Sequence, residues 1–270
     1  MRGKVLNDVK RGPLGNVIAL HDFAEETPDI RIWFEYTVSF FEEYGLVPTK
    51  AAIDGPQSNK GNNNMLFKTA FKRLYETDFK NVQGIWFGAV PPNCEQEGLD
   101  SIFSTEIDVC SPNNKGNLVL CFDDSLTSFS HDLINNLTKD LSRFFKPRYG
   151  YCFQRPFKKG PKWYPLGVNV DLEWDDPERK LIGEWGRTYH VNDGKYKTGD
   201  LRDIYPMNVL SQAHQERMVN GQPFFEWIQA QPYRGTLEPL TPDLWAWWVE
   251  HDYLPQVRED LRPTGMVLCI

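Results

Sequence analysis

Apolar residues crowd positions 16–23, Asn-Val-Ile-Ala-Leu-His-Asp-Phe, and the period then changes from a strand's to a helix's. Thr27 reads as an N-cap with Pro28 at the first helical position. Ile30, Trp33, Phe34, Thr37, Val38 and Phe41 then recur at helical spacing. Gly45 stops that helix, residues 46–53 read as a short strand, and Asp54-Gly55-Pro56 turns the chain, which predicts a β-α-β unit. The polar tract 57–64, with Asn62-Asn63-Asn64, is expected to be a loop. Leu66, Phe67, Ala70, Phe71 and Leu74 mark a second helix and residues 82–90 a third strand, interrupted after it by Pro91, Pro92 and Gly98. Residues 103–110 and 117–122 pattern as a hairpin. Leu133, Ile134, Leu137, Leu141, Phe144 and Phe145 share one helical face, and 149–154 returns as a strand.

From Phe157 the texture becomes turn-rich and aromatic, with 158–162 as a candidate linker. Residues 167–174 and 181–189 read as a further strand pair, followed by short helices. The order predicts an α+β fold with mixed or antiparallel sheets and packed helices. A boundary near Gly160 would divide the chain into an α/β subdomain, 1–156, and an aromatic-rich one, 157–270, unless the two form one domain.

The chain has 270 residues, 40% hydrophobic and 14% aromatic, enough to bury a sizeable core. A net charge of -7 disfavours direct nucleic-acid binding, which needs a clustered basic surface. No window approaches the roughly 20 apolar residues of a membrane span, and residues 1–8 lack the apolar core of a signal peptide. A cytoplasmic protein is therefore expected. Cys94, Cys110, Cys121, Cys152 and Cys269 form no C-x-x-C pair, which points to free thiols rather than a disulfide framework or a zinc site.

Candidate chemistry is sparse. Asp171, Glu173 and Asp175 alternate with Val170, Leu172 and Trp174, so the sequence predicts a strand with one charged and one apolar face. That charged face suits a basic partner better than a metal. Residues 196–201, Tyr-Lys-Thr-Gly-Asp-Leu, resemble a segment of adenylate-forming enzymes, but no Ser/Thr/Gly-rich phosphate loop accompanies them, and they read as turn chemistry. The five histidines fall singly, with no H-x-x-x-H pair, and no G-x-S-x-G elbow, P-loop or G-x-G-x-x-G is present. His21 with Asp22 at a strand end is the best single catalytic suspect. No catalytic residue, metal ligand or cofactor site is assigned.

Trp163, Trp174, Trp185, Trp227, Trp245, Trp247 and Trp248 crowd the last third, a composition that serves a partner-binding face or a demanding core. Trp247 and Trp248 cannot share one side of a short helix, which makes at least one a surface candidate. Trp245, Trp247 and Trp248, with Asp171, Glu173 and Asp175, are the expected partner-binding residues.

Tyr149-Gly150-Tyr151 after the long helix, the run 201–211 (Leu-Arg-Asp-Ile-Tyr-Pro-Met-Asn-Val-Leu-Ser), Asn220-Gly221 with Phe224-Phe225, and the strand-like close 265–270 resemble the bacterial toxin-immunity families of the DUF3396 and Imm52 type. That resemblance implies a non-enzymatic cytoplasmic protein that binds and neutralises a cognate toxin, as in type VI secretion, with no membrane partner. The aromatics would anchor a protein partner, possible basic toxins included, and the acidic residues would steer it. A homo-oligomer, a subunit of a larger assembly, and a hydrolase or nuclease whose residues converge only in space are the alternatives.

Overall fold

The computed structural model describes residues 14–23, 29–55, 64–90, 101–109, 116–170, 176–191 and 195–268. Ten strands form one sheet in the spatial order β11 (Thr236–Thr241), β12 (Leu244–Trp248), β8 (Met207–Ser211), β7 (Pro147–Pro156), β1 (Leu14–Phe23), β6 (Asn117–Asp123), β5 (Phe103–Asp108), β4 (Gly84–Ala89), β2 (Lys50–Asp54) and β3 (Asn64–Leu66). Every neighbouring pair is antiparallel. β1 is central, with Val17 opposite Cys121 on β6 and Phe153 on β7. The architecture is α+β, and the sheet carries strands from both sides of Gly160; after β8 a short helix, α5 (Gln212–Gln215), leads to a separate two-stranded ladder of β9 (Met218–Val219) and β10 (Gln222–Pro223).

Because side chains alternate across a strand, each strand feeds two layers. Ile18 and Leu20 of β1, with Leu118, Leu120 and Phe122 of β6, pack under α1 (Ile30–Glu43), α2 (Phe67–Glu76) and α3 (His131–Phe145). Val17 and Ala19, with Tyr149, Tyr151 and Phe153 of β7, face the opposite layer. That layer contains α4 (Pro177–Val191), α6 (Phe224–Gln229) and α7 (Leu254–Leu261). Burial on both faces explains why Val17 to Leu20 are apolar without a break. Between the layers' limits, Lys162 is buried beside Glu106 (3.0 Å) and lies over the rings of Trp86 and Trp163.

Several expectations change. β1 and β2 share the sheet but are separated by β6, β5 and β4, so α1 crosses three strands and no neighbouring β-α-β pair forms. The cap of α1 is Asp29, whose Oδ1 accepts the Ile32 N–H at 3.0 Å; Thr27 and Pro28 lie outside the described residues. Residues 181–189 are helical, within α4. Its start signal is Asp176-Pro177: Asp176 Oδ1 accepts the Glu178 N–H at 2.9 Å, and proline fits the first helical position. Residues 167–170 are not a strand. Gly167 takes a φ of 72°, and a Cβ there would meet Gly186 Cα of α4 at 2.6 Å. Leu244–Trp248 is a strand rather than a short helix. Among its described residues the closing segment contributes one parallel bridge, Leu201 to Val267, and residues 269–270 lie outside the described ones.

Candidate functional site

α3 ends abruptly because Pro147 follows it, and a residue before proline is pushed out of helical backbone. Lys146 responds with a left-handed φ of 32°, its N–H still donating to the Ser142 carbonyl at 3.0 Å. The chain reverses there into β7. The reversal leaves Lys146, Pro147 and Arg148 on the wall of an open cleft of about 680 Å³. Its other walls are the last turns of α3, the junction Ser211-Gln212-Ala213 where β8 ends, Lys197, and the turn from Leu240 to Leu244 joining β11 to β12. The volume falls in the ~300–1,000 Å³ range of specific ligand pockets.

The charge of this cleft runs against that of the chain. Among the described residues Lys139, Arg143, Lys146, Arg148 and Lys197 line it, against one carboxylate, Asp243, while Pro147, Leu240 and Leu244 give apolar lining. Arg143 pairs with Asp140 at 3.3 Å. Arg148 Nε is buried and donates no hydrogen bond among the described residues, the Asp22 carboxylate being 3.9 Å away. Lys139 and Lys197 are exposed and make no ion pair among the described residues.

The α3 wall is fixed at its other end. His131 Nε2 lies 2.9 Å from Glu238 Oε1 of β11, Asn135 donates to Glu238 Oε2 at 2.8 Å, and Trp248 Nε1 donates to Asn135 Oδ1 at 3.0 Å. Helix and edge hairpin are thereby held in one register, so the cleft between them is built on regular elements rather than on loops.

On the opposite face of the sheet, the run 201–211 is an internal clasp. The Arg202 guanidinium sits 3.7 Å over the Trp185 ring, donates to Tyr151 Oη at 2.6 Å and to the Tyr164 carbonyl at 2.9 Å, and is buried. Asp203 takes the Arg258 guanidinium of α7 in a two-pronged contact, 2.6 and 3.1 Å. His21 lies in the same cage, with Tyr151 and Tyr196 rings at 5.3 and 5.8 Å. Burial, with the positive charge of Arg202 near it, pushes His21 down to about 3, so it is a neutral core residue sealed from solvent. The same burial takes His214 down to about 3. A catalytic base needs access to its substrate, and His21 has none.

Of the residues expected to meet a partner, Asp171, Glu173 and Asp175 lie outside the described ones. On β12 the alternation puts Trp245 and Trp247 on one face and Trp248 on the other. Trp247 is fully buried: it meets Phe224 edge-on at 5.3 Å, and its Nε1 donates to the Arg234 carbonyl at 2.6 Å. Trp245 is half-buried against Phe225, and Trp248 is half-buried against Phe129 and His131. Trp185 and Trp227 are core as well. Covering both sheet faces consumes most of the aromatic surface that the sequence left open to a partner. The 196–201 segment is turn chemistry: Gly199 takes a φ of 76°, and Asp200 pairs with Arg217 at 3.2 Å. The cleft cations escaped a motif search because they come from separate elements. One local signal existed, since Lys139 and Arg143 stand at i and i+4 on α3, with Lys146 just beyond at its C-cap.

Fold and cleft together define an α+β protein with one antiparallel sheet covered on both faces and a basic, partly apolar cleft beside its third helix. No protein-family model matches the chain, and no curated protein matches it. Among solved structures it is similar to the Pseudomonas aeruginosa T6SS protein PA0821, with a TM-score of 0.59 at 10% identity, over 94% of this chain and 73% of that one. At that identity the likeness is one of fold. Among the described residues no helix is long and apolar enough to cross a membrane.

Proposed function

We propose that this chain is a non-enzymatic binding protein of the toxin-immunity type, of the DUF3396 and Imm52 kind, which occludes a cognate toxin or other protein partner in the cytoplasm. The observation that carries the reading is the open cleft: exposed cations over apolar lining, on a helix and hairpin locked together by the His131, Asn135, Glu238 and Trp248 contacts. A rigid, mixed surface of that kind binds without the reorganisation cost a mobile loop would carry. The sequence resemblance to immunity families and the fold shared with a T6SS protein support the same reading. Asp171, Glu173 and Asp175 would add steering toward a partner whose remaining surface is basic. Trp245 and Trp248 keep exposed area for contact, whereas Trp247 acts by holding β12 in place.

The test is capture by tagged full-length chain from its native host at moderate salt, with mass spectrometry and size-exclusion of whatever co-elutes. One stoichiometric protein partner whose toxicity the chain suppresses is the expected result. A monomer recovered alone, together with an enzymatic turnover measured on the purified chain, would overturn the proposal.

A further inference from the structure

We infer that the basic cleft takes an acidic segment of a polypeptide, its carboxylates meeting Lys139 and Lys197 and an apolar side chain resting on Pro147, Leu240 and Leu244. The inference deepens the protein-binding reading above and rests on it. Three observations favour it. First, the cations are available: Lys139 and Lys197 are exposed, make no ion pair among the described residues, and come from different elements, so both can engage one ligand. Second, Arg148 adds a further cation to the same wall, its Nε held inward 3.9 Å from the buried Asp22 carboxylate. Third, the apolar lining beside the cations rewards a side chain, which a polypeptide supplies alternately with its carboxylates.

A nucleic acid fits less well. Single strands bind by stacking bases on aromatic platforms, and none of the described lining residues is aromatic. Asp243 stands in the lining, and a strand long enough to leave the cleft would meet a chain of net charge -7. An acidic peptide ends where the cleft ends. Both lysines are exposed, so each contributes what a surface pair does, and the attraction weakens as salt screens it.

The experiment is a fluorescence-anisotropy titration of the full-length chain with a short labelled peptide alternating Glu with Leu and Trp. The Lys-for-Glu peptide and a labelled single-stranded oligonucleotide are the comparison probes. The acidic peptide should bind, weaken with added salt, and lose about tenfold or more in the Lys139→Glu, Lys197→Glu double variant. Both positions are exposed, and the Lys139→Gln, Lys197→Gln variant guards against misfolding; it should weaken binding less than the charge reversal while melting as the wild type does. No binding of the acidic peptide, equal binding by the variants, or tighter binding of the oligonucleotide would overturn the inference. The host capture, repeated with the double variant, separates the two readings. Equal capture by both chains defeats the cleft inference and leaves protein binding standing. Capture by neither defeats protein binding, and the titration then reports on the cleft alone.

Discussion

Trp247→Ala separates a core tryptophan from a recognition tryptophan most sharply. The indole has no exposed surface, stacks edge-on against Phe224 and donates its only proton to the Arg234 carbonyl. A buried aromatic removes on the order of 150–250 Å² from water, worth about 4–6 kcal/mol at roughly 25 cal/mol per Å². Alanine keeps a part of that, but a cavity remains and the Arg234 carbonyl loses its donor at about 1 kcal/mol. A net loss of about 4 kcal/mol is expected, read as a lower urea midpoint with an unchanged slope. Trp245→Ala, on the same face of β12 but half-buried against Phe225, should cost about 1–2 kcal/mol. If Trp247→Ala costs under about 1.5 kcal/mol while abolishing partner capture, the placement of that side chain in the core is wrong, and with it the account of the second layer.

Three further outcomes follow from particular contacts. Gly235→Ala would put a Cβ 1.9 Å from the Trp248 carbonyl oxygen at a φ of 95°, so a loss of more than about 3 kcal/mol, or an insoluble chain, is expected; a wild-type melting temperature would refute the β11 to β12 geometry. His21 and His214 are pushed down to about 3 from 6.5, so the folded chain holds them neutral while the unfolded chain protonates them. The unfolded state then binds more protons between those values: their stabilisation is complete above pH 6.5 and is lost as pH falls toward 3, at up to about 1.4 kcal/mol per pH unit for each histidine. Urea midpoints on the acid side of neutrality should fall accordingly and His21→Phe should flatten the slope; a pH-independent midpoint would refute this. Arg202→Lys keeps the charge but loses the planar stack on Trp185 and the pair of hydrogen bonds that Nη1 donates to Tyr151 Oη and the Tyr164 carbonyl, and a loss of about 2–3 kcal/mol is expected from thermal unfolding, against near-neutrality if the cage is incidental.

Except for β3, whose Asn64 the sequence assigned to a loop and whose Leu66 it assigned to the second helix, the element order through β7 was legible because it rests on short-range signals. The apolar spacing of α1 and α3 and the paired runs that became β5 and β6 each fall within a few turns or one hairpin. The second half defeated the same reasoning. In α4, the apolar residues Leu181, Ile182 and Trp185 imitate a strand, and only the Asp176-Pro177 start signal gives the helix away. β11 contains Pro239, which lacks a ladder donor and is tolerated because the strand lies at the sheet edge, and edge position is a tertiary fact.

The sequence by itself determined an α+β chain with enough apolar residues for a sizeable core and no recognisable catalytic motif. Only the tertiary structure decided that β1 lies between β6 and β7 rather than beside β2, that Trp247 is enclosed while Trp245 and Trp248 keep some surface, and that Lys139, Arg148, Lys197 and Leu244 share one cleft. The physical reason is common to all three. Local periodicity states which side of an element is apolar, whereas the partner that covers that side is fixed by strand pairing between distant segments, through the packing of the whole sheet.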